Sequence, residues 1–428
     1  MSDLLFCLWI ALIGADRIDF AGGHGPFILT PFLALTPIVA LSELVRRHTA
    51  GSRIEISRGT IAYMAIAGAL VSIALLSAFA APIPTVSFSR TMLLAGDIAG
   101  TLTIAILASD RTNLLRLMAR GAIAALALFV VFDIAEPLAY LGRIAETARF
   151  GPALVKIGEL QTAGPIPRLG GAVSDANRAA LVLLFYAVVI LAGERGRVLR
   201  RWALALTALL FIATFSRSGT LGAIGLLALA VIDGRIRVAP WFAASVAMVA
   251  ALACGAVIAR PAVVDRIDAF FTSPAAARLS VSEGSAQGHL ALVERGLTAS
   301  MSSVPRALIG HGYGNSYLEL QDVFPANKYG NYHSLYVTMF AEAGIFALLL
   351  TLVLLAAPMA AGGFWRPFVA ASVCFNFFYQ TTTEPVYWFV LALAWASVLI
   401  RAHEQTDTRA VLTHVSSAPA ALRSRTSG

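Results

Sequence analysis

The stretch Asn331-Tyr332-His333-Ser334-Leu335-Tyr336 sets a histidine where a long polar segment, running from about 260, meets a strongly apolar one at 334–356. That apolar run is long enough to cross a bilayer. An imidazole with an ordinary pKa near 6.5 can accept a proton at neutral pH, so His333 is the first candidate for chemistry. The second is Arg217, in Ser216-Arg217-Ser218-Gly219, which interrupts the apolar run 202–232. Read as two helices of about 15 residues, that run reaches only roughly 22 Å per helix, short of a hydrocarbon core of roughly 30 Å. Arg217 then lies below the membrane surface, where a guanidinium needs a polar cavity or an anionic partner. Arg168, Arg178 and Arg278, with Arg260 and Arg266, add further planar forks suited to phosphate oxygens. One histidine and several arginines fit group transfer from a diphosphate. The leaving anion needs charge stabilisation, and the attacking hydroxyl needs a base. The plainer alternatives are a helix-cap histidine and an arginine that snorkels or pairs for structure.

Gly310-His311-Gly312-Tyr313-Gly314-Asn315-Ser316 spaces glycines at alternate positions, which permits positive φ and close backbone approach. Such a loop suits a phosphate, a sugar or a plain turn. No cysteine pair or close-set histidines suggest zinc, and neither metal nor cofactor is expected. Cys7, Cys254 and Cys374 all fall in apolar segments and read as small buried hydrophobes. Asp97, Asp133, Glu136, Glu342 and Glu384 lie in or near apolar segments, each a partner for an arginine.

These residues must be positioned by membrane helices. Apolar residues make up 58% of the 428 and charged residues only 13%, with a mean hydropathy of +0.77, which excludes an ordinary soluble domain. The expectation is an all-α polytopic membrane protein of about twelve transmembrane helices. Its crossings fall near 3–15, 26–45, 59–81, 91–109, 121–138, 178–193, 202–216, 218–232, 239–259, 334–356, 366–380 and 386–400. Residues 1–401 form one transmembrane domain, with long outer loops at about 139–177 and 260–333, the larger between the ninth and tenth helices. Residues 402–428 form a polar, disordered cytoplasmic tail. Arginines crowd the short loops that precede the third, fifth and seventh crossings, which places both termini in the cytoplasm. The net charge of +8 follows from this orientation, and no basic run interleaved with aromatics suggests nucleic acid. An amphipathic helix is expected around 287–301. Asp-Arg-Ile-Asp occurs at 16–19 and again at 265–268, too short to establish a repeat.

In order along the chain, Arg168-Leu169-Gly170-Gly171 with Asp175-Ala176-Asn177-Arg178, then Ser216-Arg217-Ser218-Gly219, then Gly310 to Ser316, then His333-Ser334-Leu335-Tyr336 with Ala341-Glu342-Ala343-Gly344-Ile345, resemble the O-antigen ligase and polymerase family of bacterial envelope enzymes over about 160 to 350. The resemblance implies a GT-C-like inner-membrane glycosyltransferase. Such an enzyme transfers a glycan from undecaprenyl diphosphate, on the periplasmic side, to a growing glycan or to lipid A core. A regulator of chain length is a further candidate partner. It also implies His333 as base and Arg217 at the donor diphosphate, assisted by Arg178 or Arg168, with Arg278 a further candidate. Ser334 stands where the family usually has asparagine, and Gly288-His289 where many members carry a loop arginine; His289, Ser334, Glu342, Gly310, Gly312 and Gly314 are supporting candidates. The rival reading is a transporter or flippase of lipid-linked oligosaccharide with Asp97 in a proton relay. It is disfavoured because the candidate residues gather at one face and the halves look dissimilar.

Overall fold

The computed structural model describes residues 1–22, 29–158, 161–163, 166–233, 284–322 and 330–398. The described chain is mostly helical: α1 (Ser2–Ala11), α2 (Pro31–Ala50), α3 (Arg58–Ser77), α4 (Pro84–Leu107), α5 (Leu114–Tyr140), α6 (Ala176–Gly193), α7 (Arg197–Ala213), α8 (Arg217–Ile232), α9 (Gly284–Ser300), α10 (Val304–Ile309), α11 (Ser316–Glu319), α12 (Leu335–Ala361), α13 (Arg366–Phe375) and α14 (Pro385–Ala396). Five helices, α3 to α6 and α12, are long and apolar enough to cross a membrane, and α1, α8, α13 and α14 are shorter apolar helices. The expected span at 239–259, the second Asp-Arg-Ile-Asp, Arg260, Arg266, Arg278 and the tail from 402 lie outside the described residues.

Two helices are apolar all round and central. On α6 the run Ala179 to Tyr186 is buried, and on α14 so is Val386 to Trp395. The longer helices around them turn large apolar side chains outward instead, including Ile61 and Leu76 on α3, Val131 and Ile134 on α5, and Phe346 and Leu349 on α12. Such faces are stable against lipid, where every backbone polar group is satisfied inside its own helix. Glycines set the closest approaches. A Cβ on Gly193 would meet the Leu115 carbonyl oxygen at 2.0 Å, and one on Gly225 would meet the Cys374 sulfur at 2.7 Å, so α6 is held to α5 and α8 to α13 by small-residue contacts.

The segment 139–177 adds a few short strands to the otherwise helical architecture. It forms β2 (Thr147–Phe150) and β3 (Ala153–Lys156), which join β1 (Ile18–Asp19) in a three-stranded antiparallel sheet ordered β1-β3-β2. A hairpin of β4 (Gln161–Ala163) and β5 (Ile166–Arg168) follows. Arg17, between α1 and β1, anchors this layer. It bonds the carbonyls of Val173 and Ile157 and pairs with the fully buried Glu136 of α5 at 2.5 Å.

The amphipathic helix expected near 287–301 is α9. Its Leu292 joins Leu320, Tyr332, Val337 and Ala341 in a satellite core against the start of α12. α12 itself breaks at Gly344, with φ 83°. The carbonyls of Ala341 and Glu342 accept instead from the backbone N–H of His311 at 3.0 Å and of Gly312 at 2.9 Å.

Candidate active site

Four helix N-termini meet at one end of the bundle. Asp175 caps α6, accepting from the N–H groups of Asn177 (2.8 Å) and Arg178 (3.1 Å). Ser216 caps α8, accepting from Gly219 at 2.9 Å. Ser334 and Glu384 hold the N-cap positions of α12 and α14. Contacts between these ends fix their proximity. Arg178 on α6 pairs with Glu384 at 2.5 Å and with Asp16, and the Leu335 N–H is shared between the carbonyls of Asn376 (3.0 Å) and Tyr379 (2.9 Å), in the segment that leads to Glu384. Aligned peptide dipoles leave partial positive charge at each of the four ends, favouring an anion there.

The break at 214–216 makes 202–232 two helices, as the interruption at Ser216-Arg217-Ser218-Gly219 suggested. Asn177 ties it to the rest of the site. Its side-chain oxygen accepts from Arg168 Nη2 (2.9 Å), Ser216 Oγ (2.9 Å) and Ser218 Oγ (3.4 Å), while Arg168 Nε donates to the Thr214 carbonyl at 3.1 Å. Arg217, half-buried between those two serines, is therefore set by a network in which Arg168 is a strut.

His333 lies at the adjoining junction. Its backbone is left-handed, with φ 51°, and its N–H donates to Asn331 Oδ1 at 2.8 Å. Burial holds the imidazole below its ordinary pKa range, opposed by the charge of Asp175. That favours the neutral, proton-accepting form. Ser334 makes no side-chain cap and donates to the Asn376 carbonyl at 3.4 Å; Asn331, three residues earlier, holds the turn instead. Among the described residues only His333 and Phe215 combine a side chain with positive φ. Phe215 immediately precedes Ser216-Arg217, so one backbone outlier is a candidate residue itself and the other lies two residues before the second. Strain of this kind persists only where surrounding structure imposes it.

Several of the candidates are engaged in contacts within the protein. Gly310, Gly312 and Gly314 adopt positive φ, but the N–H groups of this loop are already used. His311 and Gly312 bond the broken α12, Tyr313 bonds Ser77 Oγ, Gly314 and Ser316 bond the Glu342 carboxylate, and Asn315 bonds the Gly312 carbonyl. The loop is a docking turn whose backbone donors are spent within the protein. Glu342 is its receptor, not an arginine's partner. Arg178 is likewise neutralised by Asp16 and Glu384, a structural tie between three segments. His289 falls within α9, with its side chain outside the described residues, as is Arg278.

Sequence reasoning missed Asn177, Asp16 and Asn331 as positioning residues. Their signal was adjacency: Asn177 stands beside Arg178, Asp16 opens the first Asp-Arg-Ile-Asp, and Asn331 opens the histidine motif.

Arg217, His333 and the glycine loop all lie in one stretch recognised by a single family model, described as O-antigen ligase and matching residues 202–352. This segment is similar to the O-antigen ligase family. The O-antigen ligase match starts within α7 and ends within α12, so Arg168, Asn177, Arg178, Asp16 and Glu384 are supplied from outside it. No curated protein matches the chain. Its apolar helices mark an integral membrane protein, and the similarity to the O-antigen ligase family extends over about a third of the chain.

Proposed function

We propose that the chain transfers a glycan from undecaprenyl diphosphate to an acceptor hydroxyl at the periplasmic face of the inner membrane, polymerising a surface polysaccharide or ligating it to lipid A core. The observation that carries this is the convergence of His333 and Ser216-Arg217-Ser218 at one end of the bundle, where four helix N-termini gather. The acceptor oxygen attacks the anomeric carbon, its proton passes to the neutral His333 imidazole, and the bond from that carbon to the diphosphate breaks. The diphosphate leaves as an anion beside Arg217 and the helix ends. Arg168 acts through Asn177 to hold the Arg217 turn, and Arg178 fixes α6 to α14. Twelve crossings with both termini cytoplasmic would place this end in the periplasm.

The test is complementation of a strain lacking the protein with wild type, His333→Ala, Arg217→Ala and Asp97→Asn, with lipid-linked glycans resolved by chain length and by side of the membrane. Unused donor should accumulate on the periplasmic side with the first two variants and not with the third. Lengthened lipid-linked chains that remain unligated mark a ligase; single repeats mark a polymerase. A fully active His333→Ala, or donor trapped on the cytoplasmic side, overturns the assignment in favour of a flippase.

A further inference from the structure

At the opposite end of α6 from the candidate site, the start of α5, the end of α6 and the start of α7 line an open cavity of about 340 Å³. Its lining includes Arg116, Arg120 and Arg195, with Glu194 and the apolar Ile123 and Leu199. From Arg178 along α6 to Glu194 at this cavity the helix rises about 24 Å.

Arg116 and Arg120 are one turn apart on α5 and share a face. None of the three arginines has a hydrogen bond or ion pair among the described residues. Glu194 sets one negative charge against these three, and one of its carboxylate oxygens accepts from the Gly196 N–H at 2.7 Å, so the cavity lining stays net positive. Of the other arginines at this end, Arg197, Arg200 and Arg201 on α7 also have no ion pair among the described residues, whereas those near α2 and the start of α5 do. Arg111 pairs with Glu43 and Asp3, Arg46 with Glu43 and Asp110, and Arg47 with Asp110. Membrane orientation needs basic charge in this region, but it does not require three exposed guanidiniums to line one cleft with a single carboxylate among them. Beside them, Leu191, Val198 and Trp202 are exposed, Trp202 by 72%, as expected of side chains at the interface between headgroups and acyl chains.

We propose that this cavity binds the phosphate headgroup of an anionic phospholipid from the leaflet at that end. The guanidiniums hold the phosphate, and Ile123 and Leu199 lie against the glycerol and upper acyl carbons. The inference is independent of the transfer reaction proposed for the other end.

The full chain in a neutral detergent is titrated with phosphatidylglycerol, with phosphatidylcholine and with inorganic phosphate, and bound ligand is read by native mass spectrometry. Wild type should bind phosphatidylglycerol at least tenfold more tightly than phosphatidylcholine. Each of Arg116→Gln, Arg120→Gln and Arg195→Gln should weaken phosphatidylglycerol binding about fivefold. The triple glutamine variant should bring it to the phosphatidylcholine level, and the triple lysine variant should retain most of it. The single variants carry the test if the triple variant does not purify as a folded protein. Wild-type affinity in the glutamine variants overturns the proposal. So does displacement of phosphatidylglycerol by millimolar inorganic phosphate, which would mark a site for a soluble anion.

Discussion

Replacing His333 by alanine and by glycine separates its chemistry from its backbone. Either change removes the same imidazole and leaves a similar space, so the difference between the variants isolates the left-handed conformation at φ 51°. A residue with a Cβ is disfavoured there by about 1–2 kcal/mol, whereas glycine is tolerated but returns roughly 0.5–1 kcal/mol through the greater freedom of its unfolded chain. His333→Gly should therefore be more stable than His333→Ala by about 1 kcal/mol, near a fivefold difference in the folded to unfolded ratio. The measurement is equilibrium unfolding in mixed micelles, followed by tryptophan fluorescence, beside glycan transfer in the null strain. Neither variant should transfer. Equal stabilities would show that the junction relaxes and that the backbone there is not imposed; transfer activity in the glycine variant would remove His333 from the chemistry.

Other substitutions probe the supports around this residue. Glu342→Ala leaves the Gly314 and Ser316 donors without their acceptor and should destabilise by about 2–4 kcal/mol, with Glu342→Gln costing less; unfolding midpoints of the two variants decide whether the docking turn depends on this carboxylate. Glu384→Ala strands the Arg178 guanidinium beside a single carboxylate and should cost about 3–5 kcal/mol, while Arg178→Met combined with Glu384→Leu should be milder than either single loss; additive losses in a double-mutant cycle would contradict a coupled pair. In a pH profile, transfer should rise as His333 loses its proton and level off above it, with the acid limb below about 6.5 because burial lowers the imidazole pKa. Asp175→Asn should move that limb lower still, and a limb centred above 6.5 would exclude His333 as base. The same shift means that neutral His333 contributes stability that is present above its unfolded pKa and lost as pH falls through the folded value.

The features legible in the sequence are local ones. Apolar runs longer than a bilayer needs, the amphipathic pattern of α9, the interruption at Ser216-Arg217-Ser218-Gly219 and the polar-to-apolar change at His333 all reside in neighbouring residues whose spacing is that of a helix. Alternate glycines in 310–314 signalled positive φ correctly, because that freedom belongs to the residue itself. What those glycines dock against did not follow. Leu308 and His311 meet the break in α12 only after the chain has folded back over about thirty residues. The roles of Asn177, Asp16 and Glu384 were equally hidden, since Arg178 finds its carboxylates 162 residues earlier and about 200 residues later, at separations no periodic pattern encodes. The short sheet that ties 18–19 to 147–156 was missed for the same reason, its strands being too brief to show alternation. Residue type and spacing determined that an imidazole and an arginine stand at helix starts near a membrane surface. Only tertiary packing decided that the four helix starts share one end, that two of the arginines serve as struts, and that Glu342 receives a loop rather than a cation.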